Sequence, residues 1–232
     1  MTSRRAILFF VRDEGQEQQI KPLPQVCGSL QSYRTVNRAI CARLSPLLDS
    51  TDLVLATTGN QTQLKAKHVL PQHGKDFGER IANAVDDVLS LGYEQVVVIG
   101  NDCPSIRPDD ILSAFNALEC GAGAAAAPTR DGGAFLIGLQ RDYFNRELFA
   151  GLSWQTSTLF NQLCTHLSAT ALAITRSDFD SWQSHTAKAA LIELLELALY
   201  SPVTEEVISF DIIPTRRKEL TRLFLPAPPL FA

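Results

Sequence analysis

The 232-residue chain lacks any paired cysteine motif. Its five cysteines, Cys27, Cys41, Cys103, Cys120 and Cys164, form no CxxC and no Cys/His ligand spacing. An odd, scattered set of thiols argues against a zinc site and a disulfide framework, and fits a reduced, cytoplasmic protein. Basic runs are missing too. With 21 Lys and Arg against 25 Asp and Glu the net charge is −4, so no nucleic-acid partner is expected. A small anionic ligand stays compatible, because local charge can differ from net charge. No apolar run is long enough for a membrane span. The N-terminal stretch AILFFV ends at once in Arg12 and Asp13, which is also too short for a signal core. No Walker loop, nucleophile elbow or GxGxxG occurs, which weighs against P-loop chemistry, acyl transfer and dinucleotide redox.

What is present is an alternation of buried strands and amphipathic helices. AILFFVR (6–12), DLVLATT (52–58) and VVVIG (96–100) are short apolar runs of the kind buried on both sheet faces. DEGQEQQIKPLPQ, after the first run, reads as a polar loop. Ser29 is expected to cap a helix running to about Leu44, and QLKAKHVL (63–70) is ambiguous between helix and strand. GERIANAVDDVLSLG (78–92) places Ile81, Val85, Val88 and Leu89 on one helical face, with Gly92 as its stop. Pro108 opens a helix to about Leu118. AGAAAAP (122–128) and AFLIGLQ (134–140) flank TRDGG, which predicts an antiparallel pair. A helix over 156–167, a strand over 170–176 and a helix over 184–199 are expected next. A Pro-rich irregular tail covers about 201–232. With 45% hydrophobic residues and no repeat or linker, one domain over 1–232 is expected, built on a mixed, mostly parallel sheet flanked by helices.

Ligands of open parallel sheets sit beyond the carboxyl ends of the strands. Asp102 stands there, just past the third buried run. It either ends a turn or contacts a ligand or metal; the next helix has Ser105 or Pro108 for its start, so capping does not need it. Asp131-Gly132-Gly133 allows close backbone approach to a ligand, or simply a tight hairpin. The stretch 72–80, with Gly78 and Arg80, enters a helix whose free N–H groups suit phosphate or sugar hydroxyls, unless Asp76 merely caps it. Trp154 reads as core or as a stacking platform, and Thr156 as an N-cap. Asp178 and Asp180 are either metal ligands or solvated turn residues. Acids at several strand ends suit a hard cation holding a phosphate-bearing ligand.

Taken in order, QHGKDFGERIANAV, VVVIGNDCPSI, APTRDGGAFLIGL, LFAGLSWQTSTLFNQL and SDFDSW resemble a bacterial glycosyltransferase-like family catalogued as a domain of unknown function. It belongs to the nucleotide-diphospho-sugar transferase superfamily. The resemblance spans about residues 72–182 and a first strand. It implies a three-layer, Rossmann-like GT-A fold, a nucleotide or nucleotide-sugar ligand, and Mg²⁺ or Mn²⁺. Asp102 falls on the family's strand-end aspartate in GTDCP. Asp131, Gly132 and Gly133 match its DGG, Trp154 and Thr156 its W-x-T, and Asp178 and Asp180 its late Asp-x-Asp. By analogy Asp102 and a late aspartate would hold the metal against the diphosphate. Asp131 would contact the acceptor or act as a base. Arg12, Gly78, Arg80 and Asn101 complete the expected substrate-binding set.

The sequence departs from the family at one loop. The family shows a PGxxKTRL-like stretch after the first strand, where this chain has RDEGQEQQIKPLPQ. Arg12 and Lys21 are its only basic residues, and Asp13, Glu14 and Glu17 make it unfriendly to phosphates. Asn101 also replaces the family's threonine. The expected function is metal-dependent transfer from a nucleoside-diphosphate sugar. The alternatives are nucleotidyl transfer, which needs basic residues for a triphosphate, and a non-catalytic binding protein.

Overall fold

The computed structural model describes residues 4–21, 33–59 and 64–176. The expected cap Ser29, Asp178, Asp180, the helix over 184–199 and the tail over 201–232 lie outside the described residues.

Seven strands form one sheet in the order β3-β2-β1-β4-β6-β5-β7. They are β1 (Arg5–Val11), β2 (Asp52–Thr57), β3 (His68–Pro71), β4 (Gln95–Ile99), β5 (Ala124–Pro128), β6 (Ala134–Gln140) and β7 (Thr170–Ala171). β1 runs parallel to β2 and β4, and β2 parallel to β3. β6 is antiparallel to both β4 and β5, and β5 is parallel to β7. The TRDGG hairpin thus places one reversed strand inside an otherwise parallel sheet. Of the ambiguous stretch 63–70, only 68–70 fall in a strand, the edge strand β3, and residue 63 lies outside the described residues.

The helices are α1 (Glu14–Ile20), α2 (Tyr33–Leu44), α3 (Phe77–Ser90), α4 (Pro108–Glu119), α5 (Arg146–Ala150) and α6 (Leu159–His166). Strand alternation divides them into two layers. Ile7, Phe9, Val97 and Ile99 face one way and pack with Val36 and Ile40 of α2 and Ile111 and Phe115 of α4. Leu8, Phe10, Val96 and Val98 face the other way, against Ile81 and Val85 of α3, Phe149 of α5 and Leu163 of α6. The central strands are buried on both faces, which is why they read as continuous apolar runs. The three-layer, mixed, mostly parallel architecture expected from the sequence is the one observed.

Three local expectations need correction. The stretch after β1 is a helix, α1, and not a loop. Asp13 caps it by accepting from the N–H groups of Gly15 (3.0 Å) and Gln16 (3.2 Å). The segment 170–176 is strand only at Thr170–Ala171, with a single bridge from Arg176 to Thr129 beyond. Thr156 does not cap a helix start in the way expected. α6 begins at Leu159 behind Thr158, and the Thr156 hydroxyl donates to the Ser153 carbonyl at 2.7 Å.

Candidate functional site

A cleft of about 510 Å³ opens at the carboxyl ends of β1 and β4 and the start of β6. Eight of the residues singled out in the sequence line it: Arg12, Arg80, Asn101, Asp102, Asp131, Gly133, Trp154 and Thr156. The cleft lies where the strand-end rule expects a ligand. Gln72 closes one side of it. Its amide donates to the carbonyls of Val11 (2.9 Å) and Ala56 (3.0 Å), tying the ends of β1 and β2 together.

Asp102 does not cap α4. That helix has its own box, in which Asp110 accepts from the Arg107 N–H at 2.9 Å. Asp102 instead accepts from the Lys21 ammonium at 2.9 Å, with its side chain half exposed. Asn101, beside it, is buried and donates to Asn37 Oδ1 at 3.1 Å. It fastens β4 to α2.

α1 and its C-cap bring to the cleft two residues outside the expected site set. Glu17 and Lys21 stand one helical turn apart, with the Lys21 N–H on the Glu17 carbonyl (2.8 Å), and both line the cavity. Glu17 is buried and accepts from Arg12 Nη1 at 3.1 Å. Burial pushes its carboxyl above the ordinary 4.5; Arg12 opposes that, and Asp102 adds to it. Glu14 pairs with Arg34 at 3.0 Å. The acids that made this stretch look hostile to phosphate are thus engaged: Asp13 in a cap, Glu14 and Glu17 in ion pairs. The Glu-x-x-x-Lys spacing behind a capping Asp was the signal available for this helix.

Arg80 lies in the first turn of α3 and lines the cleft. Its Nε is buried and makes no hydrogen bond. A buried guanidinium nitrogen without a partner costs free energy unless a ligand supplies an acceptor. The helix start itself is capped by Asp76, which accepts from the Glu79 N–H at 2.8 Å.

Gly78 and Gly132 have other tasks. A Cβ on Gly78 would stand 2.2 Å from the Ala150 carbonyl oxygen, so this glycine lets α3 approach α5. Gly132 has φ +94° and meets the Ser157 carbonyl. Neither lines the cleft. Gly133 does, and its N–H donates to Asp131 Oδ1 at 3.0 Å. The Thr129 hydroxyl donates to the same oxygen. Asp131 is exposed at the rim, with Oδ1 committed to the turn.

Trp154 is both core and lining. Its ring packs 4.9 Å from Phe149 and 5.6 Å from Phe77, and its Nε1–H donates to the Phe149 carbonyl at 3.0 Å. Next to it Gln155 holds a left-handed backbone, φ +60°, at the cleft edge. Burial pushes the Cys41 thiol up to about 12 and also raises that of Cys164, and neither lines the cleft.

Among the described residues the divalent cation implied by the resemblance finds no complete set of ligands. Among the described residues no group of three or more His, Cys, Asp or Glu is arranged to hold a metal ion. Asp102 carries an ammonium, and Asp178 and Asp180 lie outside the described residues. The described residues do not fit the ion. Among them, no helix is long and apolar enough to cross a membrane.

Residues 40–156 match the model of a family described as uncharacterized proteins conserved in bacteria (DUF2064). The chain belongs to that family. The matched stretch includes Arg80, Asp102 and Asp131 but not α1. A solved structure from Desulfovibrio desulfuricans G20, named provisionally as a nucleotide-diphospho-sugar transferase, is 25% identical. The alignment covers 84% of this chain and 97% of that one, with a TM-score of 0.61. Two cytidylyltransferase-type structures share the fold. CMP:2-keto-3-deoxy-manno-octonic acid synthetase complexed with CTP is 11% identical over 83% of this chain and 99% of its own, with a TM-score of 0.55. 4-diphosphocytidyl-2C-methyl-D-erythritol synthase is 12% identical over 84% and 100%, with a TM-score of 0.52. No curated protein matches. The chain thus has the Rossmann-like fold of these nucleotidyl- and sugar-transferase structures.

Proposed function

We propose that the protein is a glycosyltransferase-like enzyme that takes a nucleoside-diphosphate sugar into this cleft and passes the sugar to an acceptor. The observation that carries the reading is Arg80. Its buried, unpartnered Nε lines a cleft at the strand ends, where an anionic oxygen would complete its hydrogen bonding. The name of the Desulfovibrio relative supports the same ligand class.

In this reading Arg80 and Lys21 face the diphosphate, and the exposed face of Trp154 packs on the sugar or base. The sugar C1–O bond breaks and its electron pair leaves with the diphosphate. The acceptor hydroxyl forms the new bond at C1 and loses its proton to a base, for which Asp131 at the rim is the proposed group.

Thermal shift with a panel of nucleoside diphosphates and nucleotide-sugars tests this. A ligand at 100-fold excess over its Kd adds about 2.7 kcal/mol to stability. A shift for at least one of them, lost in Arg80→Met with the fold intact, is expected. No shift with any of them sinks the reading.

A further inference from the structure

Lys21 stands where the family resemblance calls for a metal ion. Its ammonium lies 2.9 Å from Asp102 Oδ1, on the carboxylate expected to hold that ion. Its position is fixed from both ends of α1. At the start, Asp13 caps the helix, and its N–H donates to the Thr58 hydroxyl at 2.9 Å. At the end, the buried Tyr33 hydroxyl donates to the Lys21 carbonyl at 2.9 Å. The next acid along the same face, Glu17, is held by Arg12. Lys21 is only a quarter exposed.

We propose that Lys21 takes the place of a divalent cation at Asp102, so that the cleft binds a diphosphate without metal. A divalent ion asks for several oxygen ligands. Among the described residues Asp102 brings one carboxylate, and that carboxylate is already neutralised. An ammonium needs less. It is a compact positive charge with three donors, able to bridge a carboxylate and a phosphate oxygen at once. With Asp102 neutralised, its repulsion of the ligand falls, and Arg80 supplies a second cation in the same cleft. This rests on the nucleotide reading above only for the identity of the ligand.

Calorimetric titration of the full chain with inorganic pyrophosphate and with a panel of nucleoside diphosphates tests it, each in EDTA and in excess magnesium. Binding in EDTA within about threefold of binding in magnesium is expected. Lys21→Met should weaken binding in EDTA by about 10-fold or more, since a charge-assisted hydrogen bond contributes about 1.5–3 kcal/mol. Lys21→Arg, which keeps the charge, should retain most of it, and circular dichroism confirms that both variants fold. Binding by the wild type only in magnesium overturns the role of Lys21 and leaves the nucleotide reading standing. Equal binding by Lys21→Met and wild type in EDTA also overturns it. Pyrophosphate binding in EDTA without any nucleotide binding keeps the Lys21 role and removes the nucleotide. No binding of any probe removes both. Manganese titration followed by electron paramagnetic resonance gives a direct readout: tight binding by the wild type alone, without ligand, contradicts the proposal.

Discussion

Gly132 lies so close to Ser157 that a Cβ on it would stand 2.1 Å from the Ser157 carbonyl oxygen. The contact joins the β5–β6 turn to the segment before α6, and the Phe160 N–H on the Gly132 carbonyl (3.1 Å) reinforces it. Asp131, Trp154 and Thr156 therefore share one wall because two loops meet at a glycine.

Gly132→Ala should lose about 2–3 kcal/mol, from its positive φ and from a backbone clash with no flexible atom to yield. In a protein of this size that is a Tm drop of about 4–12 °C. Gly121→Ala is the control. It has φ +97° but nothing within 4 Å, so about 1 kcal/mol is expected. Equal losses in the two variants would show that the contact with Ser157 carries no weight.

Arg80→Met should behave unlike most changes at a half-buried arginine. It removes an Nε that has no partner, so stability should stay the same or rise by about 1 kcal/mol. Melting of the ligand-free variant measures this. A loss above about 2 kcal/mol would mean that Arg80 holds the fold rather than waiting for a ligand.

Arg176 holds Asp110 through two bonds, Nε at 3.1 Å and Nη2 at 2.8 Å. Asp110 is almost fully buried, and among the described residues it keeps only the Arg107 N–H if Arg176 is lost. Arg176→Met should cost about 2–4 kcal/mol in urea denaturation, because the remaining carboxylate is charged and enclosed. Adding Asp110→Asn should return part of that loss. If the double variant is as unstable as the two single losses summed, the pair is not coupled.

Glu17 gives a pH signature. Its folded carboxyl binds a proton more tightly than its ordinary value of 4.5, chiefly through burial. The stability it contributes is full below pH 4.5 and is lost as pH rises through the raised value. The stability of wild type minus that of Glu17→Gln should therefore fall across that window. A flat difference between acid and neutral pH would show that burial does not govern this group.

The layers were legible because buried parallel strands leave no alternation to misread, and α3 announces itself by period and stop. Asp102 was legible because its location follows from topology alone. The reading failed at Arg12–Lys21, where polar residues of good helix propensity sit behind a capping Asp and show no apolar stripe. It also failed for Gly78 and Gly132, since a glycine beside a motif looks the same whether it faces a ligand or another backbone.

The sequence by itself determined the sheet, the helix layers and the place of Asp102, because these follow from local periodicity and from how strand ends meet. Only the tertiary structure decided what Asp102 touches. Its partner lies 81 residues away at the C-cap of a helix with no apolar signature, and an ion pair of that span depends on how two elements pack, not on what either one spells.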